Sequence, residues 1–419
     1  MLTITQGYGW IIKSSDVSSA FLQGEELERT VHLKPPKEIP GSEKMLMKLK
    51  VALYGLNDAS LAFYRKVATE LKRMGCIQSK NDPAFYYFRD KSGTLRGCVC
   101  THVDDFLHCG DDWFEEQVIL ILGQVLKMGT TEASNLTYVG YEINQTEQGL
   151  TISQDKFVSD KVEQFAISPD RRRKTEEPLD EEELKLLRQV AGKAGWLANG
   201  TRFDLSFDRV LISTRFNDAK IKDLIYAEKV VRRIKEHQSF YFIPAGMGGV
   251  ESWELHLYTD ASLGNLGEKS TAGFVLFLVG NEGNCAPLAW CSNRIVRVVN
   301  SALAAETLAM EQGVNEGIYK REMIEEIFNM PRKSLKLHVH IDSKSLYQAI
   351  NGNKLVSDKR LRRDIAMLKQ AIQEKDYYSL NLVKSKDMLA DVLTKKGVNC
   401  ANIMNVLYSG NFNANREEI

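Results

Sequence analysis

The amino-acid sequence predicts a mixed α/β protein of the α+β type, built from more than one domain. Strand-like and helix-like patterns mix in the first half, and the last third has three strand patterns followed by alternating helices and strands. The length of 419 residues favours two to four domains, at roughly 100–200 residues each. With 43% hydrophobic and 26% charged residues, the composition is that of a globular protein rather than a disordered, collagen-like or disulfide-stapled one.

The spacing of apolar residues predicts the elements of the first part. Helical spacing in 61–74 and 114–126 predicts two helices, and a turn is expected at Asp104-Asp105. Apolar and alternating runs predict strands at Phe85–Phe88, Cys98–Val103, Leu136–Glu142 and Leu150–Ser153.

The last part has a more regular order of predicted elements. Strands are expected at Glu254–Tyr258, Gly273–Leu278, Ala286–Cys291, Leu337–Ile341 and Ser379–Val383, and helices at Ser301–Phe328, Ser343–Ile350, Lys359–Glu374 and Met388–Lys395. A glycine-rich stretch from Pro244 to Ser252 is the best candidate for an interdomain linker. The predicted domains are therefore 1–165, a helical region 166–243, the linker 244–252, a second sheet domain 253–400 and a tail 401–419.

Charge and cysteine content leave several function classes open. There are 55 basic and 55 acidic residues, so net charge neither favours nor excludes a nucleic-acid partner. No apolar run approaches the roughly 20 residues of a membrane span, and no signal peptide is expected. Cys98, Cys100 and Cys109 lie near His102 and His108, so a zinc or redox site is an alternative to the favoured interpretation, a buried strand in a reducing compartment.

Acidic residues follow several predicted strands, where an ordinary core would exclude them. Asp104 and Asp105 are adjacent at a predicted hairpin turn, and two such carboxylates repel each other unless they are separated, hydrated or bridged by a cation. Asp260 and Asp342 end two strands of the last part, and Glu306 and Asp391 lie in predicted helices. A turn or helix cap is the alternative role for any one of these acids alone.

The order of motifs is more specific than any single acid. Asp16-Val-Ser-Ser-Ala-Phe-Leu-Gln-Gly24, Ala52-Leu-Tyr-Gly-Leu56 and His102-Val-Asp-Asp105 resemble the reverse transcriptase of copia-type long-terminal-repeat retrotransposons. Tyr258-Thr-Asp-Ala-Ser262, Leu303-Ala-Ala-Glu306 and Leu389-Ala-Asp391 resemble the ribonuclease H that follows it. The resemblance implies a polymerase palm with partial fingers and thumb, then a ribonuclease H-like mixed sheet with flanking helices.

The resemblance also implies site residues and cofactors. Asp16, Asp104 and Asp105 would be the palm carboxylates that hold two Mg²⁺ ions, with Mn²⁺ as an alternative, and Asp105 is the least direct of the three. Phe21 would lie under the sugar of the incoming nucleotide and exclude a 2′-hydroxyl; its alternative role is packing in the palm core. In the ribonuclease H half, the metal ligands would be Asp260, Glu306, Asp342 and Asp391.

The implied partners are an RNA template, a DNA primer, an RNA–DNA hybrid and deoxynucleoside triphosphates, with no membrane. The predicted basic helix carries Lys359, Arg360, Arg362 and Arg363, which are candidates for hybrid contact or, alternatively, a solvated face. The expected location is intracellular, in cytoplasmic virus-like particles or the nucleus.

Departures from the family pattern predict impaired polymerisation. Only 15 residues precede Asp16, Asp58 replaces an amide associated with the nucleotide pocket, and Leu61 replaces a basic residue. Two further hypotheses therefore stand beside a reverse transcriptase with ribonuclease H activity: ribonuclease H activity alone, and a non-catalytic nucleic-acid-binding remnant.

Overall fold

The computed structural model describes residues 1–42, 44–267, 269–352 and 356–412, and it divides into two compact units. The first unit contains Gly9–Val139 with Met1 and Ile327–Asn329. The second contains Leu2–Tyr8, Gly140–Glu326 and the described residues from Met330 onward. The domain boundaries given above remain predictions.

An antiparallel sheet carries the first unit. Helix α1 (Leu2–Tyr8) opens the chain but belongs to the second unit. The strands of the first unit are β1 (Lys13–Val17), β2 (His32–Leu33), β3 (Met47–Lys48), β4 (Ile77–Gln78), β5 (Phe85–Arg89), β6 (Leu95–His102), β7 (Asp105–Gly110), β8 (Met128–Ala133) and β9 (Asn135–Tyr138). Its helices are α2 (Ala59–Arg73), α3 (Asp112–Phe114) and α4 (Leu120–Val125), the last two joined by a π-helical turn over Glu115–Ile119.

Six strands pair in the order β4-β5-β6-β7-β1-β8, and both predicted helices of this part are present. Their apolar faces share one core with the sheet, which includes Phe63, Phe106 and Phe114. Gly97 and Gly110 are required beneath the Phe114 ring, because a Cβ atom at either position would lie within 2.4 Å of it. The single strand predicted over Leu136–Glu142 was wrong, since positive φ angles at Val139 and Gly140 turn the chain there.

The second unit begins with a small antiparallel sheet and a helical layer. Its first strands are β10 (Tyr141–Thr146), β11 (Gly149–Ser153) and β12 (Phe240–Pro244), with β11 in the centre. The helices between β11 and β12 are α5 (Asp155–Lys161), α6 (Pro169–Arg172), α7 (Glu181–Gly200), α8 (Ser206–Ser213) and α9 (Ile221–Glu236). Helix α7 begins with a capping box in which Asp180 and Glu183 each accept the other's backbone N–H.

A five-stranded mixed sheet completes the second unit. Its strands are β13 (Glu254–Leu266), β14 (Lys269–Val279), β15 (Cys285–Arg294), β16 (Leu337–Ile341) and β17 (Ser379–Leu382), and its helices are α10 (Ala302–Phe328), α11 (Lys344–Asn351), α12 (Lys359–Gln373) and α13 (Ala401–Ser409). The order is β15-β14-β13-β16-β17, with β13, β14 and β15 antiparallel and β13, β16 and β17 parallel. The predicted fold class, with a ribonuclease H-like mixed sheet and flanking helices, is confirmed.

The segment after β17 differs from its prediction. The helix expected over Met388–Lys395 is replaced by two 3-10 turns, Ser385–Asp387 and Asp391–Leu393. The backbone carbonyls of Leu393 and Thr394 accept hydrogen bonds from Ser292 and Asn265. These bonds to the sheet compete with continuation of a helix. A helix, α13, forms instead within the segment predicted as a tail, and residues 413–419 lie outside the described part of the chain.

Candidate functional sites

The first candidate site is the hairpin between β6 and β7. The turn consists of Val103 and Asp104, with His102 paired to Asp105 across it. Strand β1 lies beside β7 so that Asp16 is the cross-strand partner of Asp105, and the Val17 N–H donates to the Asp104 carbonyl at 2.8 Å. The sheet order therefore brings together the backbones of the three acids predicted to belong to a palm, Asp16, Asp104 and Asp105.

The three residues Asp16, Asp104 and Asp105 are called the hairpin acids below. Asp16 and Asp104 are exposed and Asp105 is half-buried. Burial raises the pKa of Asp105, and the charges of Asp104 and Asp16 raise it further. Among the described residues, the carboxylate oxygens of these three acids do not all lie within 4.8 Å of one another. Metal binding by the hairpin acids remains a prediction.

Two further side chains singled out in the sequence, Phe21 and Asp58, have defined contacts in the first unit. Phe21 is half-buried: it packs against the core of the first unit and also meets the ring of Tyr54 at 4.7 Å between centroids. Both roles considered for Phe21 therefore stay open. Asp58 is held by Arg29, whose Nε and second terminal nitrogen donate to the two carboxylate oxygens at 2.7 and 3.1 Å. The negative charge of Asp58, the acid that departs from the family pattern, is therefore paired with the positive charge of Arg29.

The second candidate site is the acidic cluster, defined as Asp260, Glu306, Asp342 and Asp391. Asp260 lies in β13, Asp342 directly follows the parallel neighbour β16, and Asp391 begins the 3-10 turn over Asp391–Leu393. Ligand oxygens of these three aspartates lie within 4.8 Å of one another, a spacing that one cation can span. Glu306, from the first turns of α10, faces the same group and is buried.

Burial and mutual repulsion govern the electrostatics of the acidic cluster. Burial raises the pKa of Asp260 to about 6, although Lys395 and Thr394 lower it. Burial also raises the pKa of Glu306 to about 9, with further increases from Asp260 and Asp342. Glu306 Oε2 is buried without a hydrogen-bond partner. A buried carboxylate with one unpartnered oxygen, set among other acids, fits a site that a divalent cation would complete.

Sequence reasoning missed three residues that hold the acidic cluster. Lys395 Nζ donates to Asp260 Oδ1 at 3.1 Å and to Asp391 Oδ1 at 2.6 Å. The Thr394 hydroxyl donates to Asp260 Oδ2, and the Ser385 hydroxyl donates to Asp342 Oδ2 at 2.8 Å. The four-residue spacing of Asp391 and Lys395 was visible in the sequence, whereas their contact with Asp260 depends on the fold.

A basic surface lies in the same unit. The four predicted nucleic-acid contacts at the start of α12, Lys359, Arg360, Arg362 and Arg363, are all exposed. Lys359 and Arg360 line a groove with Arg297. Arg297 also lines a wider cavity of about 660 Å³ with Arg209 and Arg294, which sequence reasoning missed. These two depressions share Arg297, whose guanidinium group donates to Asp364 Oδ2 at 2.7 Å.

The cysteines near the hairpin are structural neighbours in the sheet. Cys98 and Cys109 are buried cross-strand partners, and the seven cysteines, all within the described residues, form no disulfide. Buried His108 lies between Ser15 Oγ at 3.2 Å and Glu115 Oε1 at 3.1 Å. In the described part of the chain, these cysteines and histidines do not form a group with ligand atoms within 4.8 Å.

Comparison with known proteins agrees with the motifs. Residues 1–176 match the family model described as reverse transcriptase (RNA-dependent DNA polymerase). The chain is 27% identical over 327 residues to the retrovirus-related Pol polyprotein from transposon RE2 of Arabidopsis thaliana, covering 73% of this chain and 21% of that protein. It is 26% identical over 160 residues to the corresponding polyprotein from transposon TNT 1-94 of Nicotiana tabacum, covering 37% and 12%. The chain thus spans about a fifth or less of these relatives.

Solved structures with similarity include a foamy viral protease-reverse transcriptase in complex with dsDNA, at 13% identity and a TM-score of 0.45, covering 90% of this chain and 67% of that one. Another is RNase H1 from Halobacterium salinarum, at 20% identity and a TM-score of 0.25, covering 34% and 94%. Within the described residues, every helix is too short or too polar to span a bilayer. The resemblance to copia-type Pol polyproteins is confirmed.

Proposed function

We propose that this chain, whose first 176 residues match the reverse transcriptase family model, combines RNA-directed DNA synthesis with cleavage of RNA in an RNA–DNA hybrid. Both reactions are phosphoryl transfers assisted by divalent metal ions, with Mg²⁺ as the proposed ion and two ions per site. The observation that carries this proposal is the acidic cluster, where dispersed acids converge and one buried carboxylate oxygen has no partner.

The residues of the acidic cluster would hold the metal ions through carboxylate oxygens. Bound Mg²⁺ would supply Lewis acidity to a phosphodiester and to the attacking water. The protein's own contribution is to hold the ligands in place: Thr394 and Lys395 orient Asp260, and Ser385 orients Asp342. Burial on the sheet limits access of bulk water to Asp260 and Glu306, which strengthens their interaction with any cation.

The basic surface around the start of α12 would position the substrate. A hybrid carries one phosphate per nucleotide on each strand, and the side chains of Lys359, Arg360, Arg363, Arg297 and Arg294 offer positive charge along the surface of the second unit. Contacts of this kind set affinity and register rather than sequence preference. Binding should therefore weaken steeply as salt concentration rises.

For the polymerase reaction, the hairpin acids would hold the metal ions and Phe21 would face the nucleotide sugar. Support comes from the backbone pairing of Asp16 with Asp105 and from the half-exposed ring of Phe21 beside Tyr54. Deoxynucleoside triphosphates, a primer and a template would be the substrates of this site.

Two assays on the purified chain test the proposal. A labelled RNA–DNA hybrid reports cleavage and a labelled primer on an RNA template reports extension, each with and without Mg²⁺. Asp342→Asn should abolish cleavage and preserve extension, and Asp104→Asn should do the opposite. Absence of both Mg²⁺-dependent reactions, with hybrid binding intact, would favour the non-catalytic remnant instead.

A second candidate function is hybrid cleavage alone. The specific observation that favours it is the contrast between the hairpin acids, whose oxygens are not gathered within 4.8 Å in the described structure, and the acidic cluster, whose oxygens are. Cleavage without any primer extension, across a range of Mg²⁺ and Mn²⁺ concentrations, would select this candidate.

A further inference from the structure

At the other end of the strands that carry the acidic cluster lies a group of imidazoles with one carboxylate. Glu254 and His256 alternate with buried residues along β13, so they share a face with Asp260. His338 is the parallel cross-strand partner of His256 on β16. Four residues separate His256 from Asp260, or about 13 Å along the strand. The two groups are therefore distinct sites on one sheet.

The atoms of this group converge as metal ligands do. Glu254 Oε2 lies 3.4 Å from His338 Nε2 and 3.8 Å from His256 Nε2. One ligand atom from each of the three residues lies within 4.8 Å of the other two. Ligands of a tetrahedral zinc ion, with bonds of about 2.0–2.2 Å, are separated by about 3.3–3.6 Å. Small side-chain rotations would bring the three atoms to that spacing.

The other ring nitrogens are already held in the arrangement that metal-binding histidines need. His338 Nδ1 lies 2.8 Å from the Ser379 hydroxyl on β17, and His256 Nδ1 lies 3.1 Å from His340 Nε2. Each partner fixes the orientation of its ring and turns Nε2 toward Glu254. His338 Nε2 is buried, and its contact with Glu254 Oε2 at 3.4 Å is too loose for a well-formed hydrogen bond, so this nitrogen is available as a metal ligand.

The surroundings favour a transition-metal ion over magnesium. Aromatic rings border the imidazoles, with Phe412 centred 5.8 Å from His256 and Tyr378 centred 5.4 Å from His338. Imidazole ligands suit zinc, whereas magnesium requires mainly oxygen ligands and water. Glu254 is partly exposed, and its other carboxylate oxygen, Oε1, accepts a hydrogen bond from Lys336 Nζ at 3.2 Å.

We propose that Glu254, His256 and His338 form a binding site for a divalent transition-metal ion, with zinc as the preferred ion and a water molecule as a fourth ligand. The ion links β13 to β16 at the start of the parallel pair, and Ser379 extends the connection to β17. It stabilises the sheet that presents the acidic cluster, and it is independent of the chemistry proposed there.

Metal binding by the full chain, purified without a histidine tag, tests this site. In excess Mg²⁺, which occupies carboxylate sites, titration with ZnCl₂ against a chromophoric chelator should give one tight equivalent. Co²⁺ should give the intense visible absorption of four-coordinate cobalt. His338→Gln, His256→Ala and Glu254→Gln should each weaken zinc binding by about 100-fold or more, and Ser379→Ala by about tenfold.

Matched controls separate this site from the acidic cluster and from misfolding. His32→Ala removes an exposed histidine of the first unit and should leave zinc affinity unchanged. Asp342→Asn should remove hybrid cleavage without changing zinc stoichiometry. Glu254→Gln changes a partly exposed side chain, so circular dichroism should show an intact fold. Tight zinc binding that survives all three ligand variants, or no tight equivalent in the unmodified chain, would overturn the proposal.

Discussion

The hairpin acids and the acidic cluster are both sets of carboxylates on sheets, yet they differ in how repulsion is managed. The hairpin acids are largely exposed, so water screens their charges. Their carboxylate oxygens do not all lie within 4.8 Å of one another in the described structure. The acidic cluster is partly buried, and Lys395 places an ammonium group between Asp260 and Asp391. A counter-charge and hydrogen bonds therefore gather the ligands of the acidic cluster before a metal arrives, whereas an exposed turn leaves that task to the metal and substrate.

The largest expected effect is on catalysis, and it tests this difference directly. Asp260→Asn should lower hybrid cleavage by about 100-fold or more, because a buried, preoriented ligand cannot be replaced by water. Asp105→Asn should lower primer extension by about tenfold or less, since Asp105 is only half-buried and is the least direct of the three predicted ligands. Rates at saturating Mg²⁺ measure both. Equal losses, with hybrid binding unchanged, would contradict the contrast between the two sites.

The second-largest expected effect is a pH dependence of the free energy of unfolding in the metal-free protein. Glu306 has a pKa of about 9 in the folded chain, above its ordinary value of 4.5. The folded state therefore retains a proton that the unfolded state releases, and the free energy of unfolding should fall as pH rises between these values. The slope contributed by one such group is at most about 1.4 kcal/mol per pH unit.

Urea unfolding in EDTA at a series of pH values measures that slope, and hydrogen exchange of β13 and α10 assigns it to the second unit. Glu306→Gln should flatten the dependence, and Asp105→Asn should leave it in place because that group lies in the first unit. A slope that persists in Glu306→Gln would show that another group, such as Asp260, dominates.

A smaller effect is expected from the internal counter-charge. Lys395→Met removes hydrogen bonds to Asp260 and Asp391, and it should lower the free energy of unfolding in EDTA by about 1–2 kcal/mol. Partial exposure of the lysine and protonation of Asp260 limit the loss. Saturating Mg²⁺ should reduce the deficit, because the metal ion replaces the missing positive charge. Lys386→Met, at an exposed lysine nearby, is the control and should have little effect in either condition.

The sequence allowed prediction of the strands of the mixed sheet in the second unit and of the acids near it, because strand patterns and strand-end acids are local signals, whereas the strand order came only from the structure. Lys395 was not predicted, since its contact with Asp260 spans 135 residues. The pairing of His256 with His338 likewise depends on the parallel register of β13 and β16. In the first unit, the Asp104-Asp105 turn was predictable, whereas the positions of its carboxylates depend on hydration and cations. The register between distant strands and the positions of carboxylates that depend on a ligand could thus not be predicted from the sequence.

The smallest expected effect lies in the turn of the hairpin itself. Val103 has a φ angle of 58°, a conformation that costs a β-branched residue about 1–3 kcal/mol. Val103→Gly removes that cost but adds about 0.5–1 kcal/mol of chain entropy, so a net gain of about 1 kcal/mol in local stability is expected. Hydrogen exchange of β6 and β7 amides measures this gain.

Val103→Ala is the control, because it keeps a Cβ atom and should give less than half the gain in stability. An equal gain would assign the effect to side-chain size. Primer extension by the Val103→Gly variant should nevertheless fall, because a less constrained turn holds the backbones of Asp104 and Asp105 less firmly.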